Sequence, residues 1–251
     1  MKNSITRFTE KVDYFTKYRP AYPEQIISSL EKNIGFDSSK DIADIGSGTG
    51  ILSRLFLNNG NLVFGVEPND EMRERAEKHL EKFLNFISIN GTAEKTALAT
   101  NSVDLISVGQ AFHWFDVKKA KKEFKRILRK GGHVVIIWNE RKKTSLFMKE
   151  LDSILELLGQ EFEDAERNLA DTGFHKTFFG EEKVHTHSYP NFQMLDLSGL
   201  KGRIQSISYF PDSGDEHKKI MKEVKAVFDK YNNGGQVKLE YVTKVLYGNL
   251  K

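Results

Sequence analysis

The feature that most constrains the fold is an alternation of short apolar runs with helical patterns between residues 23 and 138. The runs are IADI (42–45), LVFGVE (62–67), NFISI (85–89), VDLISV (103–108) and HVVIIW (133–138). Nearly continuous apolar runs of this length are typical of strands in a parallel sheet that helices cover on both faces. We therefore predict a doubly wound α/β fold, with a mostly parallel sheet.

The helical patterns between these runs carry start and stop signals. Pro23 opens a pattern that Gly35 ends, Gly60 closes a helix that follows the glycines, and Asn69 caps a charged helix. Residues 117–130 predict a further helix, whose lysines form the solvated side opposite an apolar face. Each predicted strand is thus followed or preceded by a segment that can cover the sheet.

The second half of the chain has a different pattern. Residues 144–172 are acidic and helical in spacing, a strand follows around His185 and His187, and a helix pair runs through residue 232. A last strand begins after NNGG (232–235), a tight reversal that allows it to join the sheet antiparallel. We predict one domain, 1–251, with a helical cap (1–35), a cofactor-binding core (36–143), a helical insertion (144–175) and a completing segment (176–251).

Composition excludes several classes of protein. The chain has no cysteine, which rules out disulfides, thiolate metal sites and a cysteine nucleophile. No apolar run approaches ~18 residues and the first residues lack the apolar core of a signal peptide, so we predict a cytoplasmic protein without a membrane partner. A net charge of +3 is too small to indicate a nucleic-acid partner.

The first strand leads into DIADIGSGTG (41–50), which has three glycines in five positions. Such a turn lies at the carboxyl end of the strand, where open α/β sheets bind ligands, and glycine lets the backbone approach one. A dinucleotide site needs G-x-G-x-x-G, but Ile51 stands at the third position, and no Gly-Lys-Ser/Thr follows as in a P-loop. The spacing therefore disfavours a nicotinamide oxidoreductase and excludes a P-loop.

Two carboxylates accompany the turn. Glu67 ends the second apolar run and can accept hydrogen bonds from both hydroxyls of a ribose. Asp44 precedes Gly46 by two residues, where it would repel a pyrophosphate and attract an ammonium group. Together they indicate an adenosine-like ligand that carries a positive charge.

The stretches DIADIGSGTG, GVEPN, GTAEKTAL, SVDLISVGQAFHWFD and ILRKGGHVVII occur in this order. Together they resemble the successive motifs of class I S-adenosylmethionine-dependent methyltransferases. YFTKYRPAYP, GRIQSISYFP and VKLEYVTKVLYG resemble the small-molecule branch that includes trans-aconitate methyltransferases. The resemblance covers nearly the whole chain and implies a seven-stranded sheet with an antiparallel last strand.

The resemblance also implies a set of sites for S-adenosylmethionine. The glycines would line its methionine side, Asp44 would hold its ammonium group, and Glu67 would bind its ribose. Thr92 stands where relatives often have an acid, so Thr92 or Glu94 would supply the acceptor at the adenine. The implied cofactor-binding residues are Tyr18, Arg19, Asp44, Gly46, Ser47, Gly48, Gly50, Glu67, Pro68, Thr92, Ala93, Glu94 and Gln110.

Candidates for the methyl acceptor are fewer. His113 is a candidate general base, because its ordinary pKa near ~6.5 suits proton removal, or it orients or caps the next helix. Trp114 and Trp138 are candidate walls of the substrate site, and Arg203 is a candidate partner for an acidic substrate. His185 and His187 lack a third ligand, so no metal site is predicted.

The predicted function is methyl transfer to a small-molecule acceptor, a carboxylate or a hydroxyl, by in-line displacement with positioning as the main catalytic device. An RNA or DNA methyltransferase and a non-catalytic S-adenosylmethionine-binding protein are the alternatives. The first is disfavoured because GQAFHW follows the fourth strand where Asn/Asp-Pro-Pro-aromatic would be expected. The sequence leaves the second open, and it leaves the oligomeric state open as well.

Overall fold

The computed structural model describes residues 12–158, 178–180, 184–208 and 210–250. Within these ranges seven strands form one sheet in the order β3-β2-β1-β4-β5-β7-β6. Their bounds are β1 Ile42–Ile45, β2 Val63–Val66, β3 Phe86–Ile89, β4 Val103–Gly109, β5 Leu128–Arg141, β6 His185–Leu195 and β7 Val237–Asn249. Strands β1 to β5 pair in parallel, and β7 runs antiparallel to both of its neighbours. The predicted fold class is confirmed, including the antiparallel last strand.

The described residues form eight α-helices. They are α1 Val12–Tyr18, α2 Gln25–Ile34, α3 Ile51–Asn58, α4 Asp70–His79, α5 Val117–Ile127, α6 Leu146–Leu155, α7 Leu197–Gln205 and α8 Gly214–Tyr231. Their ends follow the chemistry of the sequence: the Asn69 side chain accepts a hydrogen bond from the Met72 amide at 2.8 Å, and Gly35 ends α2 in the left-handed region.

Helices cover both faces of the sheet, which explains the continuous apolar runs. Neighbouring residues of one strand belong to different apolar clusters: Leu105 packs with α2 and α3, whereas Ile106 packs with Phe124 of α5. Since successive side chains of a strand point to opposite faces, each of these central strands is buried on both sides. Asp44 is thereby carried into the interior at the end of β1, where its side chain is fully buried.

A third apolar cluster lies beyond the carboxyl end of β5. Helix α6 packs against α8, and both share this cluster with α7 and with the first residues of β7, Val237, Leu239 and Tyr241. The predicted insertion at 144–175 therefore begins with a real helix, and its residues 159–175 lie outside the described residues. The division of the chain into four segments stays a prediction.

The structure corrects one predicted boundary. The helix expected over 117–130 ends at Ile127, and β5 begins at Leu128 instead of 133. Leu128 pairs with Val103, after which the register shifts, and Gly131 adopts a φ of +83° inside the strand. A glycine in that conformation allows the irregularity that lets the strand start early.

The edge strand β6 is more polar than the central strands of the sheet. Its side chains alternate between half-buried and exposed, and Phe192 and Met194 are exposed. His185 and His187 stack on Tyr247 of β7, and the Tyr247 hydroxyl lies 2.9 Å from Nε2 of His187.

Within the described part of the chain, no helix has the length and apolar character needed to cross a membrane.

Candidate functional site

A cavity lies at the carboxyl ends of the central strands, where β1 separates β2 from β4 and the strand order reverses. This is where an open α/β sheet binds ligands. Most residues predicted for the site contribute to its wall: Arg19, Asp44, Gly46, Ser47, Gly48, Glu67, Pro68, Thr92, Ala93, Glu94, Gln110 and Trp114. The fold thus brings together side chains that are up to 95 positions apart in the sequence, from Arg19 to Trp114.

Asp44 is a buried carboxylate that accepts hydrogen bonds from two serine hydroxyl groups and from the backbone amide of Ser53. Ser53 Oγ donates to its Oδ2 at 2.6 Å, and Ser107 Oγ donates to its Oδ1 at 2.9 Å. Burial raises the pKa of Asp44 to about 6, although these hydrogen bonds oppose the change. No described lysine or arginine forms an ion pair with it. A buried charge of this kind favours a cationic partner from outside the protein.

The glycine turn holds its shape through conformations that only glycine adopts readily. Gly46, Gly48 and Gly50 have φ values of +69°, +55° and +79°. A Cβ on Gly46 would lie 2.6 Å from the Cβ of Ala111, whereas a Cβ on Gly48 would meet nothing within 4 Å. Gly48 therefore faces open space in the cavity, and Gly46 allows the turn to pack against the end of β4.

Gly50 is placed differently from its prediction as a cofactor-binding residue. Gly50 does not line the cavity. It packs against the end of α4 instead, since a Cβ added to Gly50 would lie 2.5 Å from Cδ1 of the buried Leu80. Its position supports a packing role, in which α3 begins close against the end of α4.

We expect Gly50→Ala to lower the free energy of unfolding by about 3 kcal/mol, because it adds left-handed strain and a clash in a filled core. The matched control is Gly48→Ala, which adds the strain without the clash and should cost about 1 kcal/mol. Urea unfolding without ligand measures both. Equal losses in the two variants would contradict the packing role of Gly50.

Glu67 links the turn to the start of α4. Its Oε2 accepts the Gly48 amide hydrogen at 2.9 Å, and its Oε1 accepts the Asn69 amide hydrogen at 2.9 Å. Burial raises the pKa of Glu67, while these two hydrogen bonds lower it. Each carboxylate oxygen can accept a second hydrogen bond, so both remain able to bind hydroxyl groups in the cavity.

The loop after β3 carries the residues predicted for the adenine. Thr92 and Lys95 form an isolated bridge, and the Lys95 amide also donates to Thr92 Oγ1 at 3.2 Å. Glu94 Oε1 accepts the Asp116 amide hydrogen at 2.8 Å, which ties this loop to the start of α5. Ala93 is buried between them and lines the cavity. The loop is therefore held in place by contacts on both sides.

Gln110 directly follows β4 in a strained conformation. Its φ is +56°, a value that residues with a side chain rarely adopt. Its Nε2 donates to the Asn139 carbonyl at 3.3 Å, whereas its Oε1 is buried without a partner. Strain and an unsatisfied acceptor at a cavity wall are typical of a binding site.

The segment between α1 and α2 closes the cavity from another side. Arg19 Nη2 donates to the Ser206 carbonyl at 2.7 Å, its Cζ lies 4.2 Å from the centre of the Phe15 ring, and its Nε is buried without a partner. Burial, followed by the charge of Arg203, lowers the pKa of Arg19 to about 9. Arg19 thus lines the cavity with an unsatisfied donor.

Tyr22 is the main site residue that the sequence reasoning missed. It lines the cavity, and a Cβ on Gly109 would lie 2.8 Å from its hydroxyl oxygen. Burial and the charge of Asp44 raise its pKa, whereas Arg19 lowers it, so the phenol lies near both charged groups and stays protonated. Tyr22 lies in YRPAYP, the same stretch of the sequence that contains Tyr18 and Arg19.

Asn139 is a second missed residue. It follows the apolar run of β5 and lines the cavity, as side chains at the carboxyl ends of parallel strands do. Its Oδ1 accepts hydrogen bonds from Thr243 Oγ1 and from Asn191 Nδ2 at 3.1 Å. The other missed wall residues are Phe15, Pro20, Thr49, Ile51, Leu52, Asn69, Met72, Gly109, Ala111 and Phe115.

Four further predicted residues do not line the cavity. The Tyr18 ring packs closely on Gly202 of α7. A Cβ added to Gly202 would lie only 2.2 Å from that ring. Trp138 is buried in the apolar cluster that contains Phe112. His113 is mostly buried beside Trp114, and burial followed by the charge of Arg19 lowers its pKa to about 4. Arg203 is buried behind Arg19.

Comparison with known proteins agrees with this geometry. Residues 43–136 match the methyltransferase domain family. An uncharacterized methyltransferase of Mycobacterium bovis is 33% identical over 148 residues, which are 59% of this chain and 58% of that protein. The chain therefore spans little more than half the length of this relative. An uncharacterized methyltransferase of Schizosaccharomyces pombe is 29% identical over 250 residues, 97% of this chain and 96% of that protein.

A solved structure from Anaeromyxobacter dehalogenans, named as a type II methyltransferase, has the same fold. It superposes with a TM-score of 0.69 at 19% identity and covers 92% of this chain and 98% of that chain. Domain, fold and the place of the cavity at the strand-order reversal agree with one another. Residues 43–136 are thus similar to a methyltransferase domain, and the described chain has the fold of a solved methyltransferase.

Proposed function

We propose that the chain transfers the methyl group of S-adenosylmethionine to a small-molecule acceptor by in-line displacement. The observation that carries the proposal is the pair of buried carboxylates, Asp44 and Glu67, on the two sides of one glycine turn. One lies without a described cation, and the other keeps free acceptor sites. The pair fits a ligand that has an ammonium group at one end and a ribose at the other.

The residues present fit the cofactor along its length. Asp44 would hold the ammonium group, Arg19 would hold the neighbouring carboxylate through its unsatisfied Nε, and Tyr22 lies near both. Gly46, Ser47 and Gly48 would pass beneath the methionine portion, and Glu67 with Pro68 would bind the ribose. Thr92, Ala93 and Glu94 would contact the adenine, and Gln110 would lie near the methionine end.

When bound, S-adenosylmethionine supplies a methyl group that already carries a good leaving group. The protein therefore has to align the acceptor with that methyl group and exclude water, which proximity and orientation can achieve. Trp114 and Asn139 also line the cavity and are the candidate walls for the acceptor. Gly50, Tyr18 and Trp138 are better explained as packing residues.

His113 is a weak candidate for the general base. With a pKa of about 4 its imidazole is neutral throughout the physiological range, and it lies outside the cavity wall. We expect His113→Asn to leave the shape of the turnover profile unchanged between about pH 6 and 9. Initial rates at saturating cofactor measure this. Loss of a titration step in that interval would restore His113 as a base.

The test of the proposed function uses methyl-labelled S-adenosylmethionine and a cell extract separated into metabolite, protein and RNA fractions. At a cofactor concentration below its dissociation constant, we expect a labelled metabolite other than S-adenosylmethionine with the wild-type chain and roughly a hundredfold less of it with Asp44→Asn. Label in RNA or protein would name another acceptor class. Cofactor binding without transfer to any fraction would favour a protein that binds the cofactor without catalysis.

A further inference from the structure

Residues 18–22, here called the strap, run from the end of α1 toward α2 and form one side of the cavity wall. Arg19, Pro20 and Tyr22 of the strap line the cavity. Residues 19–23 belong to no helix or strand, so sheet pairing does not fix them as it fixes the strand ends on the opposite wall. The position of the strap therefore depends on its contacts with other elements.

Two amide side chains of the edge strand β6 hold the main chain of the strap. Asn191 Nδ2 donates to the Ala21 carbonyl at 2.8 Å, and Gln193 Nε2 donates to the Tyr18 carbonyl at 3.0 Å. Asn191 and Gln193 are two positions apart in one strand, so they lie on the same face of the sheet. Their contacts span 170 and 175 positions of the sequence and fix both ends of the strap.

Neighbouring groups orient both amides toward the strap. The Tyr241 hydroxyl donates to Gln193 Oε1 at 2.9 Å, and the Phe192 amide donates to Asn191 Oδ1 at 2.8 Å. Because the oxygen of each amide accepts a hydrogen bond elsewhere, its NH2 group is the part that is presented to a carbonyl of the strap. The two contacts are thus preorganised by β6 and β7.

The strap covers the end of the cavity where Asp44 lies. Asp44 has no exposed surface, and burial followed by the charge of Asp44 raises the pKa of Tyr22, so this phenol lies near the carboxylate. An ammonium group reaches a fully buried carboxylate only after a covering group moves aside. The glycine turn is held to the sheet, since the Gly46 amide donates to the Val66 carbonyl at 2.8 Å. The strap is the covering element that can move.

We propose that Asn191 and Gln193 are positioning residues, which hold the strap over the amino-acid end of the bound cofactor and thereby set how fast the cofactor enters and leaves. The inference rests on the proposed function, in which that end lies at Asp44. Both contacts join protein groups to each other, so they stabilise the closed strap equally with and without a ligand. Their loss raises the rates of association and dissociation by the same factor and leaves the dissociation constant nearly unchanged.

The experiment measures binding of S-adenosylhomocysteine to the full chain by stopped flow, with the fluorescence of Trp114 in the cavity wall as the signal. We expect Asn191→Ala and Gln193→Ala each to raise both rates by roughly fivefold, the effect of one hydrogen bond. The double variant should raise both rates by roughly twentyfold if the contacts are independent. Titration calorimetry should give dissociation constants within roughly twofold of the wild type.

Gln193→Ala is the decisive variant. The hydrogen bonds of Gln193 go to Tyr18 and Tyr241, neither of which lines the cavity, whereas Asn191 also contacts the wall residue Asn139. Thr186→Ala is the matched control, because Thr186 is exposed on the opposite face of the same strand. It should bind S-adenosylhomocysteine with wild-type rates. A purely structural role of Gln193 would lower the free energy of unfolding and leave both rates unchanged.

The outcomes separate this inference from the proposed function. Failure of the wild-type chain to bind S-adenosylhomocysteine would overturn both. Normal binding with unchanged rates in Gln193→Ala would overturn the role of the strap contacts alone. Faster dissociation with unchanged association in that variant would also overturn it, because Gln193 would then stabilise only the bound state.

Discussion

Replacing Asp44 with asparagine should weaken binding of S-adenosylhomocysteine by roughly a hundredfold, or about 3 kcal/mol. Asparagine keeps the size of the side chain and can still accept a hydrogen bond from one of the two serine hydroxyls. The change therefore removes mainly the charge that faces the ammonium group. Titration calorimetry of the wild type and the variant measures the loss.

A second ligand provides the control for this prediction. 5′-Methylthioadenosine has the same adenosine portion but lacks the amino-acid part, so Asp44→Asn should change its affinity by less than roughly threefold. Asp70→Asn is the matched variant, because Asp70 is an exposed carboxylate near the site that pairs with Arg73. An equal loss for both ligands in Asp44→Asn would show a damaged turn and refute the ammonium contact.

The same residue predicts how cofactor affinity depends on pH. Asp44 has a pKa of about 6, raised by burial, and it must be ionised to bind an ammonium group. Affinity should therefore be constant between about pH 7 and 8, below the pKa of Arg19, and should fall toward roughly tenfold per pH unit below pH 6. The other titratable groups near this site are Glu67, whose pKa is also raised, and Arg19 and Tyr22, which stay protonated. Asp44→Asn should remove most of the dependence.

The stability of the ligand-free chain should change in the opposite direction. A carboxyl group whose pKa is raised on folding destabilises the folded state at a pH above that pKa, and the cost disappears as the pH falls. Asp44→Asn removes this cost, so urea unfolding near pH 8 should show an equal or higher free energy of unfolding. We therefore expect the charge of Asp44 to serve ligand binding and not folding.

The central sheet could be predicted because its strands are buried on both faces. A segment with apolar residues at every position, such as Val63–Val66, predicts an interior strand, and the structure confirms this strand. The edge strand β6 could be predicted only at its start, because Pro190 and exposed polar positions break the apolar pattern. Edge strands tolerate such residues since one side has no partner strand.

The site residues also divide into those that the local sequence pattern predicts and those that depend on packing between distant parts of the chain. Asp44 and Glu67 end strands, and the carboxyl ends of strands in this fold meet at one edge, so local pattern places them in the cavity. Tyr18 and Tyr22 both flank Arg19, and only the packing of α1 on Gly202 decides which of them reaches the cavity. That contact joins residues far apart in the chain, which local spacing cannot specify.

Replacing Glu67 with alanine should weaken binding of both S-adenosylhomocysteine and 5′-methylthioadenosine by roughly a hundredfold, or about 3 kcal/mol. Two hydrogen bonds from ribose hydroxyls to a buried carboxylate are lost, and the amides of Gly48 and Asn69 lose their acceptor as well. Glu67→Gln should lose nearly as much, because its amide group can accept from only one of those two backbone donors. The shared loss distinguishes Glu67 from Asp44, whose replacement should affect only the ligand that carries the amino-acid portion.

The ribose contact itself is tested with 2′-deoxy-5′-methylthioadenosine in a double-mutant cycle. If Glu67 accepts from the 2′-hydroxyl, the wild type should bind the deoxy ligand roughly tenfold more weakly than 5′-methylthioadenosine, and Glu67→Ala should bind the two ligands equally. Additive losses would mean that Glu67 acts only by holding Gly48 and Asn69 in place. In that case the carboxylate would shape the turn from behind, and the hydroxyl groups would bind elsewhere on the cavity wall.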